Sequence, residues 1–192
     1  MRIAIFGCGN MGKAVATRLS GAHDILLYDR NVEKTEKLEK EGHGVSCKNM
    51  QEALSQAAVI ILAIKPQNLK DSAGEIARHL HESQILVSLL TGTTLDTLKD
   101  YFPNVYPVRM MPNLALLYGE GIIGLCANKE TSTEETKLLT DFFAPLGKTY
   151  WIPEEKMNAL TALGGSGPAF VFVIAEAMID AGIAMGLTSK NS

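Results

Sequence analysis

Three glycines near the start of the chain have the spacing of a phosphate-binding turn. The apolar run Arg2–Phe6 leads into Gly7, Cys8, Gly9, Asn10, Met11 and Gly12, and helix-favouring residues follow. In such a strand-turn-helix unit, the first glycine makes the tight turn, the second admits a pyrophosphate and the third lets the helix pack on the strand. The helix N-terminus adds unpaired amides. The segment predicts a dinucleotide site, and an ordinary strand-to-helix turn is the alternative.

A carboxylate follows at the distance that this motif requires. Asp29 closes the apolar run Ile25–Tyr28, about 20 residues beyond the glycines, where an acidic side chain binds the adenosine ribose hydroxyls of NADH. Its charge would repel the 2′-phosphate of NADPH, and the neighbouring Arg30 would offset that repulsion. We therefore expect both cofactors to bind, with NADH at least as good as NADPH.

Three further segments come after predicted strands or open a helix, where ligands of an α/β sheet bind. Ala63, Lys65 and Pro66 follow one apolar run, and Arg109–Asn113 follow another. Gly164–Pro168 break the chain and precede an apolar helix, with Ser166 or Gly167 suited to its cap. Each segment also has an ordinary structural interpretation, as a strand end, a connector or a helix start.

The common catalytic motifs are absent from the sequence. It contains neither G-x-S-x-G nor H-E-x-x-H nor a Walker A lysine motif. Cys8, Cys47 and Cys126 are odd in number and scattered, which favours reduced thiols, a cytoplasmic location and no bound metal. The net charge of −3 gives no general attraction to nucleic acid or to an anionic membrane. A small-molecule partner is therefore expected.

Strands and helices are predicted to alternate along residues 1–152. Eight apolar runs, each followed by helical or turn signals, predict an α/β fold with a doubly wound, Rossmann-type parallel sheet. A short helix over residues 154–163, the break at Gly164–Pro168 and an apolar helix over Ala169–Leu187 follow. The length of that last helix is close to that of a membrane span. Glu176, Asp180 and two glycines favour a buried or self-associating helix instead.

Four of these segments, in this order, resemble those of the pyrroline-5-carboxylate reductases. They are Gly7–Gly12, Ala63–Gln67, Arg109–Asn113 and Gly165–Phe170. The resemblance covers essentially all 192 residues and implies hydride transfer from NADPH or NADH to the C=N carbon of 1-pyrroline-5-carboxylate, giving proline. It also implies a dinucleotide-binding domain over residues 1–152. Residues 153–192 would then begin an all-helical dimerisation domain, and the chain would form a homodimer or larger homo-oligomer.

The resemblance also assigns roles to particular residues. Gly7–Gly12 would hold the pyrophosphate and Asn49 would lie near the adenosine. Ala63, Lys65 and Pro66 would line the nicotinamide ribose, and Asn113 and Ser166, the only candidates for catalysis, would border the substrate. Family members continue into a helical region whose Ser/Thr-Pro-Gly-Gly-Thr-type loop binds the substrate carboxylate. We therefore expect these 192 residues to bind cofactor but to form little proline.

Two other functions are compatible with the same N-terminal motif. A 3-hydroxyacid or prephenate dehydrogenase would use a Lys or His base in its second domain, and no such residue stands out near Ser166. A non-catalytic nucleotide-binding module, regulatory or assembled with a partner, would need only the first domain. The intact segment Ser166–Ala169 favours the enzyme.

Overall fold

The sheet contains the eight strands that the sequence predicts. The computed structural model describes residues 1–128 and 131–188. The strands are β1 (Arg2–Phe6), β2 (Asp24–Tyr28), β3 (Val45–Ser46), β4 (Val59–Leu62), β5 (Ile85–Ser88), β6 (Tyr106–Met111), β7 (Gly121–Ala127) and β8 (Gly147–Trp151). Their order in space is β3-β2-β1-β4-β5-β6-β7-β8. The order reverses between β1 and β4, so the chain is wound in both directions from the centre of the sheet.

One strand pair departs from the predicted parallel arrangement. β7 runs antiparallel to β6, with Met110 opposite Leu125, whereas the other neighbouring strands pair in parallel. The connection over residues 112–120 contains only a 3-10 turn, Leu114–Tyr118. A parallel crossover needs a dozen or more residues, usually with a helix, so this short connection returns the chain in the opposite direction.

Helices cover both faces of the sheet. They are α1 (Asn10–Leu19), α2 (Val32–Lys40), α3 (Met50–Ser55), α4 (Leu69–Arg78), α5 (Leu95–Tyr101) and α6 (Thr133–Phe143). Side chains alternate between faces along β1, because successive residues of a strand point to opposite sides. Ile3 and Ile5 join one buried cluster with α1 and α6, while Ala4 and Phe6 join another with α3, α4 and α5. The predicted doubly wound fold is confirmed.

The predicted break at Gly164–Pro168 is wrong, because the backbone stays helical through it. A 3-10 turn (Glu154–Lys156) leads into α7 (Met157–Leu160), a π-helical turn (Thr161–Ser166) and α8 (Gly167–Ala184). Ser166 has helical dihedrals, φ −90° and ψ −30°, and its side chain makes no capping bond. The glycines add no bulk and Pro168 lies in the first turn of α8, where a helix tolerates proline. The π-helical turn therefore accommodates these glycines and the proline, from which the sequence alone predicts a break between two helices.

The last helix leaves most of its surface in solvent. Among the described residues of α8, only Gly182 is buried, while Phe170, Val171, Phe172 and Val173 each expose more than 60% of their surface. By length and composition, the helical segment Glu154–Ala184 could span a membrane. Only 6% of its most apolar 18-residue stretch is buried. The boundary proposed at residues 152/153 stays a prediction, and residues 189–192 of the second predicted domain lie outside the described residues.

Candidate functional site

The turn after β1 has a conformation that requires glycine at its first position. Gly7 has φ +95°, and a Cβ added there would lie 2.7 Å from the carbonyl oxygen of Ala63. Its amide donates to the carbonyl of Tyr28 at 2.8 Å. The turn is therefore fixed between the ends of β2 and β4.

Gly12 and Gly9 differ in what surrounds them. A Cβ on Gly12 would lie 1.9 Å from the carbonyl oxygen of Gly7, so this glycine allows α1 to pack on the turn. A Cβ on Gly9 would meet no atom of the described residues within 4 Å, and Gly9 has φ −71°, which any residue adopts. Protein packing therefore does not explain Gly9, whereas the approach of a ligand would.

The N-terminus of α1 presents free backbone donors beside that open space. The first helical bond runs from the amide of Lys13 to the carbonyl of Gly9, at 2.8 Å. The amides of Asn10, Met11 and Gly12 thus have no partner within the helix, and no side chain of the described residues caps it. The first turn contains no acidic residue, so the positive end of the helix dipole is available to a phosphate.

A cleft of about 540 Å³ opens next to this turn. It lies at the C-terminal ends of β1, β2 and β4, where the strand order reverses and ligands of such sheets bind. Six of the predicted site residues line it, namely Gly7, Gly9, Asp29, Arg30, Ala63 and Lys65. The structure also adds Lys34, Asn68 just before α4, and Asp71 and Ser72 in the first turn of α4.

The other predicted site residues do not line this cleft in the described part of the chain. Asn49 caps α3 by accepting from the amide of Glu52 at 2.9 Å, and its neighbour Met50 lines the cleft. Asn113 is buried and accepts from the amide of Ile122 at 3.1 Å. Ser166 is exposed at the end of the π-helical turn. Their predicted roles near adenosine and substrate stay predictions, as does that of Pro66.

Asp29 contacts the glycine turn directly. Its Oδ2 accepts from the amide of Cys8 at 2.7 Å, and its Oδ1 accepts from the amide of Asn31 at 2.9 Å. The ammonium of Lys34 lies 3.5 Å from Oδ2. The carboxylate that the sequence assigns to the ribose hydroxyls therefore also holds the backbone of the turn.

Sequence reasoning missed Lys34. The only signal in the sequence is its place in the charged first turn of the helix that follows Asp29. Asn31 caps α2 by accepting from the amide of Glu33 at 3.1 Å, and this cap sets the direction in which α2 leaves the sheet. That direction brings Lys34 back to Asp29.

Cys8 is a buried thiol in the middle of the turn. Burial and the nearby Asp29 carboxylate raise its pKa to about 12, against a smaller opposing effect of Lys34. The thiol is therefore protonated at neutral pH and lacks the thiolate character of a reactive cysteine. All three cysteines are buried and free, and residues 1–128 and 131–188 contain no cluster of His, Cys, Asp or Glu fit to hold a metal ion.

A buried ion pair ties the C-terminal helical segment to the sheet. Arg109 of β6 donates to Oε1 of Glu154 at 2.7 Å, and its side chain is only 5% exposed. The same oxygen accepts from the amide of Leu95, at the start of α5, at 2.7 Å. One carboxylate therefore fixes the beginning of the helical segment against β6 and α5.

The fold and the cleft define a Rossmann-type dinucleotide-binding domain with an apolar helix attached. Two family models match the chain. "NADP oxidoreductase coenzyme F420-dependent" matches residues 2–92, and "Pyrroline-5-carboxylate reductase dimerisation" matches residues 154–192.

Curated relatives and a solved structure agree with the second family model. Pyrroline-5-carboxylate reductases of Haemophilus influenzae and Mycobacterium leprae are 34% and 31% identical to the chain, over 99% and 98% of its length. The chain covers 72% and 67% of those proteins. The Plasmodium falciparum pyrroline carboxylate reductase with NADP bound superimposes with a TM-score of 0.88 at 26% identity, over 99% of this chain and 72% of that one. The chain belongs to the pyrroline-5-carboxylate reductase family.

Proposed function

We propose that this protein reduces 1-pyrroline-5-carboxylate to L-proline with NAD(P)H. Membership of the family over essentially the whole chain carries this proposal. The open space at Gly9 independently supports dinucleotide binding. The glycine turn has room for a pyrophosphate there, and no packing role accounts for that glycine.

The residues that line the cleft and the adjoining N-terminus of α1 bind different parts of the cofactor. The free amides of Asn10–Gly12 hold phosphate, Asp29 with its cationic neighbours faces the adenosine ribose, and Ala63 and Lys65 lie towards the nicotinamide half. Bound NAD(P)H supplies the hydride for the C=N carbon. The chain contributes orientation and exclusion of water, which are the protein's main contributions in such enzymes.

Asn113 and Ser166 are the proposed border of the substrate space. Asn113 lies just after β6. Its side-chain oxygen accepts from the backbone amide of Ile122, which leaves its NH₂ group as a donor for the substrate. Ser166 lies at the π-helical turn, and such turns are frequent at functional sites. Neither side chain is a strong acid, so the imine would arrive already protonated.

The exposed apolar surface of α8 supports association with a second copy of the chain. The model of the family's dimerisation region matches this segment, and burial between two copies would remove its apolar side chains from water. This interpretation also accounts for the apolar composition without a membrane. We place the protein in the cytoplasm, in agreement with its free thiols.

A single-turnover experiment tests the reaction even if the catalytic rate is low. The chain, in excess over NADPH, is incubated with 1-pyrroline-5-carboxylate, and proline is quantified by mass spectrometry. We expect proline to form with the wild-type chain and not with Gly9→Val. If NADPH binds but proline stays at the level of the variant, the proposed reaction is wrong. The low steady-state rate expected of these 192 residues stays a prediction.

A further inference from the structure

The carboxylate of Asp29 is fixed in place by the protein itself. Both of its oxygens accept from backbone amides, those of Cys8 and Asn31, and its side chain is 13% exposed. Its negative charge therefore stays at the wall of the cleft whichever dinucleotide binds. A 2′-phosphate next to it would meet a like charge that cannot rotate away.

Lys34 neutralises this charge from within the same cleft. Its ammonium lies 3.5 Å from Asp29 Oδ2, and its side chain is 47% exposed, so it contacts the carboxylate while remaining open to a ligand. The capped first turn of α2 holds its backbone in place. Arg30 lines the same cleft.

We propose that Lys34 is the residue that lets this site accept NADPH. It acts in two ways, by cancelling the charge of Asp29 and by offering an ammonium to the 2′-phosphate. Removing it therefore restores a repulsion and deletes an attraction, whereas removing Arg30 deletes only an attraction. From Asp29 and Arg30 alone, the sequence predicts that NADH binds at least as well as NADPH. With Lys34 included, we expect the affinity for NADPH to be higher than that prediction implies. This inference rests on the proposed dinucleotide function.

Binding measurements on the whole chain separate these effects without relying on catalysis. Dissociation constants for NADPH and NADH are measured by fluorescence titration for wild type, Lys34→Met, Arg30→Met and Lys37→Met. Lys37 is the matched control, because it lies on the same helix with 70% of its side chain exposed and pairs with Glu41.

We expect Lys34→Met to weaken NADPH at least tenfold and NADH less than twofold. Arg30→Met should have a smaller effect on NADPH, and Lys37→Met should change neither cofactor. Adding Asp29→Asn to Lys34→Met should recover part of the NADPH affinity, because Asn removes the uncovered charge and keeps an acceptor for the Cys8 amide. That recovery would distinguish charge neutralisation from a general loss of structure.

Two results overturn the inference. One is an unchanged ratio of the two dissociation constants in Lys34→Met, and the other is the absence of any recovery in the double variant. In both cases wild type still binds dinucleotide and the proposed function stands. If wild type binds neither NADPH nor NADH, the proposed function fails and this inference fails with it.

Discussion

At the level of single residues, Asp29 combines two tasks that can be separated by substitution. It holds the Cys8 amide of the glycine turn, and it places a negative charge at the wall of the cleft, where we propose that the adenosine ribose binds. Asparagine removes the charge and keeps one oxygen, which can accept from the Cys8 amide while the bond to the Asn31 amide is lost. Alanine removes the charge and both acceptors.

The first prediction follows from that separation. Asp29→Asn should shift the ratio of the NADH and NADPH dissociation constants towards NADPH by tenfold or more, about 1.4 kcal/mol. Asp29→Ala should weaken both cofactors, because the turn loses its anchor. Titration of each variant with both dinucleotides checks this. An unchanged ratio in Asp29→Asn would show that the carboxylate does not face the ribose.

The second prediction concerns the buried thiol of Cys8. Its pKa rises from 9.0 to about 12 on folding, because burial and Asp29 disfavour the thiolate. Between these values the native state holds a proton that the unfolded chain releases, so the free energy of unfolding falls as the pH rises through this window. Burial of Cys47 acts in the same direction, with a pKa of about 11.

Urea unfolding between pH 8 and about 11 tests this. In Cys8→Ala the free energy of unfolding should fall less steeply with rising pH than in wild type. Cys47→Ala should reduce the steepness by a smaller amount. If Cys8→Ala leaves the slope of wild type unchanged, the thiol does not titrate differently in the two states.

At the level of elements, the sequence is informative where the signals are local. The spacing of Gly7, Gly9 and Gly12 is enough to predict the unit formed by β1, the glycine turn and the start of α1. Gly7 specifies the tight turn, Gly9 the open space and Gly12 the close packing of the helix. The roles predicted for Gly7 and Gly12 in this turn agree with their surroundings.

Other elements depend on interactions that the sequence pattern does not show. The reversal of β7 depends on how far residues 112–120 can reach. The helical path through Gly164–Pro168 depends on a π turn, which glycine and proline do not distinguish from a break. The contact between Lys34 and Asp29 depends on the direction in which α2 leaves the sheet. In each case tertiary geometry determined the outcome.

The third prediction tests the tie between the sheet and the helical segment. Glu154→Ala leaves the guanidinium of Arg109 buried without its partner. Breaking a fully buried ion pair lowers the free energy of unfolding by about 3–5 kcal/mol. Because Glu154 is 32% exposed, we expect a loss of about 2 kcal/mol here. Glu154→Gln, which keeps an acceptor for Leu95, should cost less. Urea unfolding measures both variants, and equal stability of Glu154→Ala and wild type would contradict the role of the pair.

At the level of the whole molecule, we expect α8 to determine the state of association. Burying each large apolar side chain contributes about 1.5–3 kcal/mol, and α8 exposes several in succession. Sedimentation velocity at tens of micromolar should therefore find a dimer or larger species. Val173→Asp combined with Ile174→Asp should yield monomer, while Tyr118→Asp, at an even more exposed apolar position outside α8, should behave as wild type. A monomeric wild type would mean that α8 packs on its own domain.

The central claim is that the cleft beside the glycine turn binds NADPH, and Gly9 tests it most directly. Gly9 has an ordinary φ and empty surroundings, so Gly9→Val should fold as wild type does while its side chain fills the space for the pyrophosphate. Gly74→Val is the control, since a Cβ at Gly74 also meets no described atom and this glycine lies outside the cleft. Calorimetric titration with NADPH should show binding for wild type and Gly74→Val and none for Gly9→Val, with matching circular dichroism. Wild-type affinity in a folded Gly9→Val would contradict the account.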